Sequence, residues 1–302
     1  MAALRMMLRL VQWRAIALIS SISMALWLLA PGVATAQSVT LPAEPTQTTT
    51  VDAVLDQLTA ANVVYLGEIH TEAAHHEQQR LILEQLHQRG SQIIIGMEMF
   101  QRPYQAALDA YIAGDITEAE LRSQTDYDQR WGYDWDYYAP ILRFAQTHGY
   151  PVIALNTPTE ITRRVAVKGW LGLHPDDAQW IPPRADIDMQ SERYRQQLFD
   201  IFAQHQHGNS RNFENFFLAQ VLWDETMAES IAQTVLQSPD ALVVVLAGEG
   251  HIAHGYGIPD RVQRRLRAIS DFQQRSLLFD TASNRDRTLE PDIADFIWYV
   301  DE

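Results

Sequence analysis

Two stretches of the chain decide its fold: residues 62–70 have the sequence NVVYLGEIH, and residues 241–251 have the sequence ALVVVLAGEGH. In both, an apolar run rich in valine and leucine leads directly into Gly-Glu-x-His. Such a run is typical of a strand that is buried on both faces of a parallel sheet. Because ligands and chemistry collect at the carboxyl ends of strands in open α/β sheets, we expect the two motifs to form one site there.

The rest of the chain alternates strands and helices. Further apolar runs predict strands at 92–97, 151–155 and 274–280. Apolar periodicity and capping residues predict helices at 71–90, 103–114, 141–148, 159–168, 211–237 and 259–267. This alternation predicts a three-layer αβα fold around a mainly parallel sheet. Residues 170–212 interrupt the pattern and are expected to form an inserted helical lobe.

The N-terminus has the features of a secretory signal peptide. Three arginines precede an apolar run at 15–30, and residues 34–36 (ATA) supply an A-x-A cleavage site. We therefore predict a signal peptide at 1–36, a flexible leader at 37–50 and an α/β domain at 51–302. The alternative is an uncleaved anchor, for which the apolar run is short. Cleavage would export the protein, to the periplasm or outside the cell, with no stable membrane anchor.

Charge and composition exclude several classes of partner. The net charge of the 302-residue chain is −15, and loss of a signal with three arginines and no acidic residue changes it to −15 − 3 = −18. Nucleic acids and anionic membranes need clustered lysine and arginine, so neither is expected as a partner. The chain has no cysteine. It therefore has no disulfide, no thiolate metal site and no covalently attached c-type haem.

Glutamate and histidine supply the chemistry at the predicted strand ends. Glu68 and Glu98 follow strands, and His70 and His251 each lie two residues beyond a glutamate. One interpretation is a divalent metal bound by Glu68, His70 and His251, since imidazole nitrogen and carboxylate oxygen are metal ligands. The other is metal-free, with a glutamate orienting a histidine that takes a proton from water. A purely structural role for each pair is the remaining alternative, and the repetition of the motif argues against it.

Other residues indicate a flat or iron-containing ligand. The loop at 248–259 (GEGHIAHGYGIP) contains His254 and Tyr256, which are side chains of the kinds that ligate haem iron. The alternative for Tyr256 is an ordinary aromatic residue at the rim of the loop. An aromatic segment could stack on such a ligand or could seal a packing interface, and both interpretations stay open. Its rings are Trp131, Tyr133, Trp135, Tyr137 and Tyr138.

Two charged residues near these motifs need partners. Arg102 follows Glu98 by four residues and is expected to pair with it across the cleft. Asp224 lies in a largely apolar helix, where a carboxylate needs a partner such as Arg163, Arg164 or a strand-end amide. Packing is its default role.

Six segments, taken together, resemble the ChaN-like haem-binding uptake proteins of the wider TIKI/TraB and erythromycin-esterase group. The segments cover nearly all of 51–270, and their combination is specific. They are YLGEIHTEAAHHEQQ (65–79), MEMFQRPYQ (97–105), the aromatic sequence at 132–140, ALNTPTEITRRVAVKGW (154–170), QVLWDETMAESIA (220–232) and AGEGHIAHGYGIPDRV (247–262).

The resemblance implies a three-layer α/β fold, haem binding, a homodimer with haem near its interface, and a role in iron uptake or haem handling. Related families in the group are proposed hydrolases, either metal-dependent proteases with paired Gly-x-x-His motifs or esterases that activate water. The residues carried over from these families are Glu68, His70, Glu98 and His251. We therefore hypothesise an exported haem-binding protein, with Tyr256 or His254 as the iron ligand. The alternative is a hydrolase, a protease or an esterase, that uses the paired motifs.

Overall fold

The structure, a computed structural model, describes residues 38–40, 48–204, 212–281 and 292–300. The predicted signal peptide and most of the predicted leader, 41–47 included, lie outside these ranges. The strands are β1 Ser38–Thr40, β2 Thr48–Thr49, β3 Val63–Glu68, β4 Ile93–Gln101, β5 Val152–Asn156, β6 Leu242–Gly248, β7 Gln274–Thr281 and β8 Phe296–Val300.

Ten α-helices connect and cover these strands within the described ranges. The helices are α1 Val51–Thr59, α2 Ala73–Gln88, α3 Gln105–Ala113, α4 Glu118–Gln124, α5 Tyr127–Arg130, α6 Trp135–His148, α7 Thr159–Lys168, α8 Glu192–Gln204, α9 Phe213–Gln237 and α10 Ile258–Arg265. Among them, no helix is both long enough and apolar enough to cross a bilayer.

All eight strands form one sheet, in the order β2-β1-β8-β7-β3-β6-β4-β5. The six strands from β8 to β5 pair in parallel, whereas β1 pairs antiparallel with both β2 and β8. Helices cover both faces of this sheet, so the predicted three-layer α/β fold is confirmed. The five strands predicted from apolar runs are β3 to β7, and β8 was not predicted.

Alternation along the strands divides the core into two layers. On β3, Val64 and Leu66 pack with α1, α2 and α6, whereas Val63 and Tyr65 pack with α9 and α10 on the opposite face. Successive strand residues point to opposite faces, so a strand buried on both sides must be apolar throughout. This is why 62–66 and 241–247 are continuous apolar runs.

The register of the central strands sets the position of the motifs. Glu68, the last residue of β3, pairs with Gly248, the last residue of β6. On the other side of β6, β4 pairs through Met97 with Leu246, which places Glu98 at the same edge. The two Gly-Glu-x-His motifs and Glu98 thus lie together at the carboxyl edge, as expected.

One prediction about a strand boundary was wrong. The strand predicted at 92–97 continues to Gln101, so Glu98 lies inside β4 rather than after it. A shift in the β4–β5 register between Met97 and Gln101 allows this extension, since such irregularities re-aim side chains next to sites. The predicted leader is not irregular throughout, because β1 and β2 pair with each other and β1 pairs with β8.

The stretch predicted as a helical lobe has little regular structure before α8. Short 3₁₀ helices at Gly169–Gly172, Pro175–Gln179 and Arg184–Asp186 precede it. α8 itself packs against α7 and the first half of α9 in a separate apolar cluster that includes Phe217 and Leu222. Residues 205–211, which belong to the predicted lobe, lie outside the described residues.

Candidate functional site

Glu68 is a buried carboxylate at the carboxyl end of β3, and both of its oxygens accept hydrogen bonds. Oε1 accepts from His70 Nδ1 at 2.8 Å and from the Tyr138 hydroxyl at 2.6 Å. Oε2 accepts from Gln79 Nε2 at 2.8 Å. Burial would raise the pKa of Glu68, but the hydrogen bonds from His70, His76 and Tyr138 outweigh it and lower the pKa to about 2. Glu68 is therefore ionised at neutral pH.

His70 is held in one orientation by this carboxylate. Because an ionised carboxylate only accepts hydrogen bonds, the proton of the Glu68 contact lies on Nδ1 of His70. The imidazole also contacts the rings of Trp131 and Tyr133, with centroids 4.8 Å away in each case. Burial alone would lower the pKa of His70, but the Glu68 hydrogen bond and the charges of Glu98 and Glu68 raise it. Among the described residues, Nε2 of His70 has no hydrogen-bond partner.

The glycine of the second motif makes room for the histidine of the first. A Cβ atom at position 248 would lie 2.9 Å from both Cε1 and Nε2 of His70. The glycine of the first motif has a different neighbour, since a Cβ at position 67 would lie 2.3 Å from Cδ2 of Leu278 on β7. Contacts shorter than 3 Å force a shift in the packing. Gly67 and Gly248 are therefore required by close approach, and only Gly248 contacts the site.

His251 is held between two carboxylates. Its Nδ1 donates to Asp224 Oδ1 at 2.6 Å, and its Nε2 lies 3.4 Å from Glu98 Oε1. Asp224 is fully buried on α9, and its Oδ2 accepts a hydrogen bond of 2.5 Å from the Tyr194 hydroxyl. Burial would lower the pKa of His251, but Glu98 and Asp224 raise it well above its ordinary value. The two carboxylates therefore favour the protonated form of His251.

Glu98 links the two halves of the site. Its Oε2 accepts the backbone N–H of Gly248 at 2.8 Å, and its charge acts on both His251 and His70. Burial would raise the pKa of Glu98, but the charge and hydrogen bond of His251, together with His70 and the Gly248 amide, lower it. The structure thus brings Glu68, His70, Glu98 and His251 together, with both glutamates ionised.

Glu249, the second glutamate that the repeated motif supplies, has a different environment. It is half-buried next to Asp280 at the end of β7. Burial and the negative charge of Asp280 raise its pKa, although the neighbouring His70 lowers it. The two motifs are therefore not equivalent, because the first glutamate is ionised by its hydrogen bonds and the second is not stabilised in that way.

The aromatic segment is divided between the core and the border of the Glu-His site, and its stacking on a ligand stays a prediction. Trp135 and Tyr138 are buried in the core, and Tyr138 donates to Glu68. Tyr137 stacks on His76 at 4.7 Å and 14°. Trp131 and Tyr133 instead contact His70, and Tyr133 is 37% exposed. One part of the segment seals the α6 interface, and the other part forms an aromatic border of the site.

His254 and Tyr256 lie on the turn that follows β6, and their rings stack at 5.2 Å and 21°. His254 has a positive φ of 57°, which is uncommon for a residue other than glycine. It lines a cavity of about 430 Å³ that none of the four Glu-His residues lines. Tyr256 packs against the apolar cluster of α7, α8 and α9. The other cavity residues include Tyr65, Pro259, Arg275, Asp292 and Asp295.

The hydrogen bonds of Glu68, His70 and His251 do not fit the predicted metal site. Both nitrogens of His251 face carboxylates, and both oxygens of Glu68 accept hydrogen bonds from other side chains. Within the described ranges, no three histidine, aspartate or glutamate side chains form a group arranged to hold a metal ion. The donor set is used for pairing between histidine and carboxylate instead.

Two expectations about charged residues were wrong. Arg102 does not pair with Glu98. Its guanidinium binds Glu229 at 2.9 Å, Ser230 at 2.9 Å and the Thr226 carbonyl at 2.7 Å. The reason is that β4 ends at Gln101, so Arg102 begins the following turn and its side chain reaches α9, on which these partners lie. Asp224 does not pair with an arginine, and its partners are His251 and Tyr194.

Sequence reasoning did not predict the hydrogen bonds by which four residues complete the site: Gln79, Tyr138, Tyr194 and Asp224. Asp224 gave a signal, since a carboxylate in an apolar helix requires a partner. Tyr194 gave none, because a tyrosine on the buried stripe of an amphipathic helix is ordinary packing. Its hydroxyl is functional only because α8 packs against α9.

The fold and the site together define a class: a three-layer α/β protein with paired Glu-His motifs at the carboxyl edge of a parallel sheet. Residues 54–262 match the model of the family described as "Haem-binding uptake, Tiki superfamily, ChaN", and the chain belongs to that family. The match covers the sheet from β3 to β6 and most of α10.

Two individual relatives are similar over most of this chain. The solved structure of ChaN from Campylobacter jejuni, which describes cofacial heme binding, superimposes with a TM-score of 0.67 at 18% identity, covering 88% of this chain and 97% of that one. At this identity the likeness shows a shared fold. Protein RETICULATA-RELATED 5, chloroplastic, from Arabidopsis thaliana is 26% identical over 268 residues, covering 82% of this chain. The chain spans about a third (35%) of that protein's length.

Proposed function

We propose that this protein is an exported haem-binding protein that acts in haem or iron handling. The observation that carries the proposal is membership of the haem-binding uptake family across 54–262. Export is supported by the sequence of residues 1–36, which we propose to be a cleaved signal peptide, in keeping with a periplasmic or secreted location. The lack of cysteine restricts haem to non-covalent binding.

The cavity beside β7 has side chains that suit haem. His254 supplies an imidazole that can ligate iron, and Arg275 supplies a guanidinium that can pair with a propionate. Tyr65 and Pro259 add apolar surface for the ring. Tyr256, stacked on His254, is the second candidate for an iron ligand. The bound haem would supply the iron chemistry, and the protein would supply the ligand, the counter-charge and the apolar contact.

The likeness to the Campylobacter jejuni protein supports a homodimer. That structure is described as showing cofacial heme binding. We propose the same arrangement for two copies of this chain, with haem near their interface.

A haemin titration followed by absorbance tests this proposal. The purified protein is expected to give a saturable Soret shift at a simple stoichiometry. The variants His254→Ala and Tyr256→Phe test which side chain binds the haem iron. The variant that removes the iron-binding side chain is expected to lose or shift the Soret band. His70→Ala is the matched control, since His70 does not line the cavity, and it should bind as the wild type does. A linear rise without saturation would contradict specific binding, because it indicates adsorption to apolar surface.

A second candidate function, hydrolysis, is supported by the orientation of His70. Glu68 fixes the proton on Nδ1, which leaves Nε2 as the nitrogen that can take a proton from water. The resulting hydroxide would attack a carbonyl, and the imidazolium would later return the proton to the leaving group. Glu68 stays ionised throughout and stabilises the imidazolium. His251 is less suited to this role, because both its nitrogens already face carboxylates.

The hydrolase proposal is tested with chromogenic esters and peptides. His70→Ala and Glu68→Gln should both abolish turnover, with circular dichroism unchanged. His254→Ala is the control and should keep full activity. Because the pKa of His70 is raised, turnover should increase as the pH rises above the ordinary histidine value. Turnover that is unaffected in His70→Ala would exclude this histidine as the base.

A further inference from the structure

A second cavity, distinct from that of His254, lies where the C-terminal half of α9 meets the end of α10. Its volume is about 390 Å³. Three arginines line it, Arg264, Arg265 and Arg267, with Asp186 and Glu229 as the acidic residues. None of the Glu-His residues lines this cavity, and neither proposed function uses it. The concentration of guanidinium groups is unusual in a chain whose net charge is −15.

The carboxylates near these arginines are already paired. Glu225 is fully buried and accepts from Arg264 Nη2 at 2.5 Å and Arg265 Nη2 at 2.6 Å, with Nε of Arg261 3.5 Å away. Glu229 binds Arg102 at 2.9 Å. Arg261, Arg264 and Arg265 thus share the single carboxylate of Glu225, which leaves two positive charges in excess. Buried charge without a counter-charge is costly, so an anion would be stabilised here.

Hydrogen-bond donors also remain unused. The Nε–H groups of Arg264 and Arg265 are buried and have no hydrogen-bond partner among the residues that the structure describes. The side chain of Arg265 is only 14% exposed, so water has limited access to it. These Nε atoms have almost no accessible surface, so an oxyanion in the cavity would accept instead from the Nη1 groups of Arg264 and Arg265, which make no hydrogen bond to the described residues. Arg267 is exposed at the opening of the same cavity and adds a third guanidinium.

We propose that this cavity binds a phosphate group, either as inorganic phosphate or as part of a small phosphorylated metabolite. Guanidinium forks match the oxygens of phosphate in bidentate pairs, and several forks around one small cavity suit a compact, multiply charged oxyanion. The lining side chains other than the charged ones are Ala232, Gln233 and Leu236, so the cavity offers no aromatic ring on which a nucleotide base would stack. The proposal is independent of haem binding and of hydrolysis.

Calorimetric titration of the purified protein with inorganic phosphate at low salt tests the proposal, since salt screens exposed charges. Saturable binding is expected. Arg265→Gln should weaken it by about tenfold or more, because a hydrogen bond to a charged group is lost. Arg267→Gln should weaken it by a smaller factor, of about threefold, because Arg267 is exposed. Arg193→Gln is the matched control: it removes the same charge from an exposed position on α8 that lines no part of this cavity, and binding should be unchanged.

A second ligand distinguishes the two sources of the oxyanion, and a second variant is available if the first one does not fold. Glycerol phosphate that binds more tightly than inorganic phosphate would identify a phosphorylated metabolite, and the reverse order would identify the free ion. Arg267→Gln keeps the test valid if Arg265→Gln fails to fold, because Arg267 has no role in the buried network. Three outcomes would each overturn the proposal: no saturation by phosphate, binding of citrate in its place, or equal weakening in all three variants.

Discussion

Removing the charge of Glu68 is expected to abolish much of the acid sensitivity of this protein. Its folded-state pKa is about 2, against 4.5 for an unperturbed glutamate. This difference corresponds to about 3 kcal/mol of stability at neutral pH. Because the pKa is lowered on folding, the stabilisation is complete above the unfolded value and is lost as the pH falls from about 4.5 to about 2. In Glu68→Gln, which cannot titrate at this position, this loss of stability between about pH 4.5 and about pH 2 is absent.

Urea unfolding monitored by tryptophan fluorescence measures this effect. Between about pH 7 and about pH 3, the wild type should lose about 2 kcal/mol more than Glu68→Gln, and the two stability curves should converge in acid. Tyr138→Phe removes one hydrogen bond to the Glu68 carboxylate, so it should narrow the pH range over which the Glu68 stabilisation is lost. It should also lower the free energy of unfolding by about 2 kcal/mol at neutral pH. Parallel pH profiles for wild type and Glu68→Gln would refute the assignment of the low pKa to Glu68.

Three further predictions concern the other half of the site. Gly248→Ala places a methyl group 2.9 Å from the His70 ring and should cost about 1–3 kcal/mol in urea unfolding, whereas Gly250→Ala, with no atom within 4 Å, should be neutral. Asp224→Asn leaves His251 without its closest counter-charge and should cost about 3 kcal/mol, and a cost below about 1 kcal/mol would contradict a buried ion pair. The raised pKa of His251 should make the free energy of unfolding fall as the pH rises above the pKa of histidine in the unfolded chain. His251→Gln should remove this pH dependence. An unchanged pH dependence in that variant would show that another group titrates.

The sheet and the convergence of the motifs could be predicted because they depend on local patterns. A continuous apolar run followed by glycine and a charged pair is visible in 62–70 and 241–251 without any knowledge of neighbours. Parallel pairing then places Glu68 and Gly248 side by side. The sequence 296–300 (FIWYV) is also a continuous apolar run and would have predicted β8, but it is only five residues long.

The pairing of side chains across the site could not be predicted in this way. Tyr194 and Asp224 are 30 residues apart, and Asp224 and His251 are 27 residues apart, on separate elements. The first contact depends on how α8 packs against α9, and the second on how α9 packs against the turn after β6, and no local period in the sequence specifies either. Arg102 and Glu98 are only four residues apart, yet they do not pair, because Arg102 follows the end of β4 and its partners lie on α9. Local rules thus predict the elements, and tertiary packing selects the partners.

The position of β1 has a consequence for the order in which the molecule assembles. Ser38 pairs with Tyr299, so the first strand of the sheet can find its neighbour only after the last strand has been synthesised. Contacts between residues so distant in sequence form late, because closing a long loop is entropically costly. Until then the outer edge of β8 has no partner and presents unpaired backbone groups to other chains. The pairing of β1 with β8 therefore also protects this edge of the sheet from aggregation.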